Sequence, residues 1–278
     1  MGKRILIGAP IQQKPEILQQ FLLSLTELEA HSYTADYYFA DDNRDPASTQ
    51  LLRQFCEKHP QTTIQPSGYK HTFATSEQSH FKGWKEDIIW KVATMKDTII
   101  SHALTNEYDY LFLVDSDLVL HPATIEQLLS TEKDIVANIF WTKWDPQQIE
   151  MPQVWQRDFY TQYKVERDLQ LTKAQQEQLT LHFFQQLRQP GLYEVGGLGA
   201  CTLISRHALA RGVRFEQISN ISLRGEDRHF CVRAVAMGFS LYVDTHYPAY
   251  HIYRPSQLAG VAPYKERCAA ERKKAPSR

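Results

Sequence analysis

Apolar residues enter this chain in two rhythms. Short continuous runs, KRILIG at residues 3–8, YDYLFLV at 108–114 and DIVANIFW at 134–141, read as strands buried on both faces. TADYYFADDN at 34–43 alternates instead and ends in the polar turn DDNRDPAST. Between these runs lie helical patterns. One spans Pro15 to about Leu28, and a second runs from Ser48 to His59 with Leu51, Leu52 and Phe55 on one side. A third, from Trp84 to Leu104, places Trp84, Ile88, Val92, Met95, Ile99 and Ala103 in steps of four or three, which makes one buried face. A fourth covers Pro122 to Leu129. This order predicts a three-layer α/β/α sandwich around a mostly parallel central sheet. Residues 60–82 show no periodicity and read as a long functional loop.

The pattern changes over residues 143–190, which are rich in glutamine, aromatics and charge and end in a helical stretch from Lys173 to Arg188. They read as a helical insertion, a lid on one face of the sheet. GLYEVGGLGACTLISRHAL then resumes the core with a glycine-rich turn and a strand. ISLRGEDRHFCVRAVAMGF follows as a helix that starts at Gly225-Glu226-Asp227 and is capped by Gly238. SLYVDTHYPAYHIYR is the last strand. The basic tail from Lys265 is expected to be poorly ordered.

Composition narrows the function classes. With 278 residues and 42% hydrophobic content, the chain can bury the core of one large domain, taken as residues 1–264 with 265–278 as its tail. Lys and Arg total 31 against 32 Asp and Glu, so no excess of positive charge points to nucleic acid. No apolar run reaches the length of a membrane span, which leaves peripheral contact through the basic tail as the expected membrane route. Cys56, Cys201, Cys231 and Cys268 form no CxxC pair and read as reduced packing residues, which predicts a cytoplasmic protein.

Two carboxylates interrupt the apolar run at 108–122. In an extended segment residues two apart share a side, so Asp115 and Asp117, with Ser116 between them, can converge on one point at a strand end. Paired oxygen ligands suit a hard divalent ion, Mn²⁺ or Mg²⁺; the plainer alternative is a helix cap beside a solvated carboxylate. Dinucleotide chemistry is disfavoured, because the turn after the first strand, Gly8-Ala9-Pro10-Ile11-Gln12-Gln13, holds one glycine where three are needed. No GxxxxGK[ST] motif occurs either.

VDSD, GGLGACTLISR, GEDRHFCVRAVAMGFSLYVDT and HIYR, in that order, resemble the GT-A glycosyltransferases, in particular their bacterial family 2-like members. The resemblance covers residues 4–142 and 191–254 and is weakest over 143–190. It implies a metal-dependent inverting enzyme that moves a sugar from a nucleotide-sugar, taken as a UDP-sugar, to a hydroxyl of a carbohydrate, lipid-linked or peptide acceptor. It further implies that Asp117 ligates the metal, that Asp115 contacts ribose or the metal's water shell, and that His251 is a further ligand. Pro10 and either Asp41 or Asp42 would meet the base, Lys96 would lie near the diphosphate, and Gly197 would let backbone approach the sugar. A solvated lysine is the competing reading of Lys96.

By the same resemblance Asp227 is the general base, with Glu226 capping its helix or touching acceptor. The free amides of a helix start favour a carboxylate's charge, so the expected proton affinity of Asp227 is low. Three competitors remain: a retaining transferase of the same fold, a sugar-nucleotide pyrophosphorylase, and a silent sugar-nucleotide-binding module. The pyrophosphorylase lacks its basic glycine-rich loop after the first strand.

Overall fold

A computed structural model describes residues 2–68, 86–145, 147–166 and 169–274. The order is β1 (Lys3–Ile11), α1 (Pro15–Thr26), β2 (Tyr33–Asp41), α2 (Pro46–Lys58), β3 (Thr62–Pro66), α3 (Glu86–Thr105), β4 (Tyr110–Leu113), β5 (Leu118–Val119), α4 (Thr124–Ser130) and β6 (Ile135–Thr142). Then come β7 (Met151–Pro152), β8 (Val154–Trp155), α5 (Lys173–Leu187), β9 (Leu192–Val195), β10 (Gly197–Leu198), β11 (Thr202–Ser205), α6 (Arg206–Ala210), α7 (Glu226–Ala236), β12 (Leu241–His251), a 3₁₀ turn (Pro255–Gly260) and α8 (Val261–Lys274).

The main sheet runs β3-β2-β1-β4-β11-β6-β12, with β5 and β9 on β12 and β7 on β6. β3, β2, β1 and β4 are parallel, as are β6 and β12; β11 lies antiparallel between the two groups. One face packs Leu18, Phe21, Leu52, Phe55, Ile125 and Leu128 from α1, α2 and α4. The other packs Ile99, Ala103, Phe184, Ala208 and Phe230 from α3, α5, α6 and α7. This is the expected three-layer sandwich. The continuous runs are strands buried on both faces, as β1 illustrates with Ile5, Leu6 and Ile7 all fully buried.

The topology sets three strand exits side by side. Asp42 N–H donates to the Ile11 carbonyl (2.8 Å), Val114 N–H to Gly8 (3.0 Å) and Ser67 N–H to Asp41 (2.8 Å). The carboxyl ends of β1, β2 and β4 therefore open on one shared edge, where ligands of open α/β sheets are held. β1 continues through Ile11, so the expected Gly8-Ala9-Pro10 turn is strand.

Four further expectations are corrected. The expected long loop begins with an edge strand, β3, paired to β2, while residues 69–85, including Trp84, lie outside the described residues. The expected stripe of α3 holds at Met95, Ile99 and Ala103, but the buried face is broader, adding Ile89, Ala93, Lys96 and Ile100, while Ile88 and Val92 are only half-buried. The 143–190 segment contributes β7 and β8 as well as α5, and Phe183, Phe184 and Leu187 of α5 join the core. The tail is helical to Lys274, the reverse of the expected disorder.

The α8 anchor is physical rather than compositional. Val261, Tyr264 and Cys268 step by three and four and bury against Ile17, Val119 and Ile252. Tyr264 Oη donates to the Pro248 carbonyl (3.0 Å), and its ring stacks on Tyr250. Lys265 and Arg272 meet Glu27 and Glu29 of the first layer at 2.7 and 2.6 Å, which occupies part of the tail's positive charge. Tyr264→Ala is expected to cost about 3 kcal/mol, the range for truncating a large buried ring. Urea unfolding followed by circular dichroism checks this; a loss below about 0.5 kcal/mol means that α8 is not docked.

Candidate functional site

The two carboxylates that interrupt the strand do not lie in one. β4 ends at Leu113, and Ser116 and Asp117 form a tight turn into β5, closed by Leu118 N–H donating to the Asp115 carbonyl (3.3 Å). The turn is pinned from β12, because Ile252 N–H donates to the Asp117 carbonyl (2.8 Å). Asp115 and Asp117 therefore do not lie on one extended strand, on which strand periodicity predicted one shared side. Ser116 is buried between them.

Asp117 meets His251. Its Oδ2 lies 3.3 Å from His251 Nε2, and Thr142 Oγ1 is 2.9 Å from Nδ1, which fixes the imidazole ring. The same ring packs edge-on against Phe140, so His251 is both a packed residue and a polar partner. Asp117 Oδ1 is buried with no hydrogen-bond partner. A buried carboxylate oxygen left without a donor is costly, and a cation satisfies it. One carboxylate oxygen and one imidazole nitrogen at this spot fit Mn²⁺ or Mg²⁺. Among the described residues no three His, Cys, Asp or Glu side chains gather closely enough to hold an ion by themselves. Asp115, on the same turn, also feels the charge of a second centre.

That centre is built on Lys96. Its side chain is 2% exposed in α3, and Nζ donates to Asp227 Oδ1 (2.7 Å) and to Glu226 Oε1 (3.0 Å), with the Phe215 ring face 4.8 Å away. Burial opposes the ammonium charge, yet Asp227, Glu226 and Asp115 outweigh it and hold Lys96 well above the usual lysine range. The solvated-lysine reading is wrong, and Lys96 lies on the carboxylates expected to do chemistry. The signal in the sequence was its register, since position 96 shares the stripe of 89, 93, 100 and 103.

Burial pushes the Asp115 carboxyl up to about 7; Lys96 opposes this, while Asp117, Asp227 and Glu226 add to it. Asp227 is pushed up to about 6 by burial, against the pull of Lys96 and with Glu226 adding. The low proton affinity expected of Asp227 at a helix start is not what burial gives it: the carboxyl is pushed up. Gly225 precedes α7 at φ 106° with no side-chain cap, so Glu226 does not cap the helix and is the second acceptor of Lys96. Asp227 Oδ1 is taken by Lys96, while Oδ2 faces Gly199. A cavity of about 10 Å³, room for about one water, lies among Lys96, Gly199, Thr202, Phe215 and Asp227. A hollow of about 480 Å³ opens beside Trp141, Ile149, Phe184 and Arg188 and contains none of these carboxylates.

The exit of β2 separates its two aspartates. Asp41 Oδ1 accepts from Asn43 N–H (2.9 Å) and Nδ2 (2.7 Å), a turn-forming role. Asp42 is 2% exposed, pairs with Lys91 and accepts from Ser67 Oγ (2.6 Å). Of the two, Asp42 is the one buried in a polar network. Pro10 lies in the part of β1 that runs past its last pair with β4, Gly8–Leu113. At Gly197 a β-carbon would fall 2.0 Å from the Trp155 ring, so its bareness admits the indole of β8.

Beside Asp227 stands an aromatic turn that no sequence pattern announced. Arg157 and Thr161 pair as a bridge, and the turn between them places Phe159 and Tyr160 both at φ 57°. Left-handed backbone suits glycine or asparagine, and each such aromatic costs about 1–3 kcal/mol. Arg228, the residue after Asp227, lies under both rings, 5.0 Å from Phe159 and 4.8 Å from Tyr160. Burial pushes the Tyr160 phenol up to about 12, and the nearby Asp227 charge adds to this.

The chain's likeness to known proteins is one of shape. No protein family and no curated protein matches its sequence. Among solved structures it is similar to the mannosyltransferase PcManGT of Pyrobaculum calidifontis in complex with GDP-Man and Mn²⁺, at TM-score 0.53 and 11% identity. That alignment covers 100% of this chain and 66% of the other. It is also similar to S. aureus TarS 1–349, at TM-score 0.50 and 12% identity, over 99% of this chain and 67% of that one. It spans 40% of the longer TarS structure. The chain shares the fold of these glycosyltransferases. No helix among the described residues is long and apolar enough to cross a membrane.

Lys96→Met tests the second centre. It leaves Asp227, Glu226 and Asp115 without their shared cation, and is expected to destabilise the fold by about 3 kcal/mol at neutral pH. That is the low end for removing one partner of a buried pair, because the carboxylates can take up protons instead. Stability of the variant relative to wild type should then improve as pH falls. A pH series of chemical denaturation checks this, and equal stability of the two proteins at neutral pH would remove Lys96 from its central place.

Proposed function

We propose that the protein is a metal-dependent inverting glycosyltransferase that moves a sugar from a nucleotide-sugar to an acceptor hydroxyl. The observation that carries this reading is the pair of acidic centres at one strand-end edge. One is an Asp117–His251 pair with an unpartnered buried oxygen; the other is Asp227, pushed up to about 6 beside Lys96. Carboxylates whose surroundings give them different proton affinities divide into different roles. The mannosyltransferase that shares the fold was solved with GDP-Man and Mn²⁺, which supports a nucleotide-sugar donor and a divalent ion here.

In this reading Asp117 and His251 hold Mn²⁺ or Mg²⁺, and Asp115 stands on the donor side of the same turn. When bound, the ion neutralises charge that develops on the leaving nucleoside diphosphate. Asp42, supported by Ser67 and Lys91, faces the nucleoside at the β2 exit, where a UDP or a GDP moiety fits the proposal equally. Asp227 performs the proton step. Its Oδ1 is fixed by Lys96, so Oδ2 accepts the proton of the acceptor hydroxyl as the oxygen bonds to the anomeric carbon and the bond to the diphosphate breaks. A base poised near 6 is ionised at neutral pH and still close enough to it to accept a proton efficiently.

Asp227→Asn separates binding from chemistry. Turnover of the matching nucleotide-sugar should fall about 10²- to 10⁴-fold, the usual range for a lost general base, while the donor-induced thermal shift persists. Retention of more than about a tenth of wild-type turnover places the base elsewhere, and product stereochemistry by NMR distinguishes inversion from retention. For wild type, kcat/KM should rise as pH climbs through about 6, because only the ionised Asp227 accepts a proton.

Asp117→Ala should abolish the Mn²⁺-dependent part of the thermal shift given by UDP- and GDP-sugars. A ligand at a hundredfold excess over its Kd stabilises by about 2.7 kcal/mol, so the loss is measurable. A persisting Mn²⁺ response in this variant would refute the ligand assignment.

A further inference from the structure

We propose that the Phe159–Tyr160 turn is the acceptor platform, and that its ligand is a pyranose ring stacked on Phe159. This inference rests on the transferase reading for the word acceptor, but its ring-binding content stands on the turn itself. Phe159 is 72% exposed and Tyr160 48%, although both are aromatic and both occupy left-handed backbone. Nothing in the core needs the Phe159 ring, and glycine would relieve the turn. A large ring held out in solvent on unfavourable backbone marks a binding surface rather than a packing one.

The supports of the turn fix where that ring stands. Arg228 is buried under both aromatic rings, with Nη1 donating to the Arg224 carbonyl (3.2 Å) and Nε and Nη2 without partners. A guanidinium with two buried donors unspent is retained for its place beneath the rings. Trp155 packs edge-on to Tyr160 at 4.9 Å, and its indole is locked over Gly197. Tyr160 Oη fills the space where a β-carbon of Gly225 would be, 2.7 Å from that point, directly before the Glu226-Asp227 pair. The turn is thereby tied to the start of α7, and the base and the aromatic face belong to one rigid unit.

The chemistry that suits this surface is a saccharide. The hydroxyls of a pyranose lie around the rim of its ring and its C–H bonds on the faces, so it can cover an aromatic face while offering a rim hydroxyl to a neighbouring carboxylate. A lipid chain would need a groove, and the 480 Å³ hollow does not include Phe159 or Tyr160 in its lining.

Saturation-transfer NMR with methyl β-D-glucopyranoside, methyl β-D-galactopyranoside and methyl α-D-mannopyranoside tests this, on the full chain and without nucleotide. At least one glycoside is expected to show strong saturation of its ring C–H protons with wild type. Phe159→Gly should weaken that binding at least tenfold without lowering the melting temperature, and Phe159→Trp should retain it. Phe159→Leu should lose it as Phe159→Gly does, because the flat ring and not its apolarity is required. Equal binding by wild type and Phe159→Gly would overturn the platform. Binding of none of the three glycosides would overturn the saccharide assignment, and so would saturation of the alkyl chain of octyl glucoside with its sugar protons silent. Failure of the transferase reading is distinguishable: it appears as no wild-type thermal shift with nucleotide-sugars, whatever the glycosides do.

Discussion

Everything at the strand-end edge depends on one buried cation. Lys96 reaches from α3 to the first turn of α7 and neutralises carboxylates that would otherwise be forced together out of water. A buried ammonium is costly, and replacing such a group with a well-packed apolar side chain often improves stability. Its presence here therefore calls for an explanation other than stability. The geometry offers one: the ammonium fixes α7 relative to the sheet, so that Asp227 and the Asp115–Asp117 turn open on the same edge. Without the cation, Asp115 and Asp227 would both tend to hold protons at neutral pH, and a protonated Asp227 could not serve as the base proposed for it.

The division between the two acidic centres follows from the turn after β4. Strand periodicity would have aimed Asp115 and Asp117 at one point. The turn instead gives Asp117 to His251 and Asp115 to the electrostatic neighbourhood of Lys96. Placing the pair on a turn lets two like charges two positions apart point differently, which a flat strand does not allow. The backbone bond from Ile252 to Asp117 ties the arrangement to β12, the strand that carries His251.

Much of the scaffold was legible from the sequence, because burial on two faces leaves a simple signature. IVANIF and YLFL could hardly be anything but central strands, and the Leu51-Leu52-Phe55 stripe makes a helix in any packing. What escaped has a common physical cause: it depends on contacts between segments distant in sequence. The α8 stripe of Val261, Tyr264 and Cys268 is short and is surrounded by charges that compositional reading takes for a tail. Lys96 was legible only once the stripe of α3 was phased correctly, and that phase was obscured by Ile88 and Val92, apolar residues on the half-buried side. The Phe159–Tyr160 turn was invisible in principle, since its backbone contradicts the preference of both residues. Local rules fail most informatively where a structure sustains a conformation that they forbid.

The contact between Lys96 and Asp227 also limits what kind of base the proposed one can be. An ammonium at 2.7 Å favours the ionised carboxylate and so weakens it, while burial strengthens it; the balance comes to about 6. Without the lysine, burial would push the carboxyl further up and leave it protonated at neutral pH. Without the burial, the lysine would drive it down to a range where it accepts protons poorly. Catalysis by a base at neutral pH requires an intermediate value, and two opposing terms that are each large reach it more robustly than the absence of both. The same ammonium occupies one carboxylate oxygen and so leaves one for the incoming hydroxyl. Orientation and proton affinity are set together by one side chain, which makes Lys96 the residue on which the chemistry of the proposed transfer most depends.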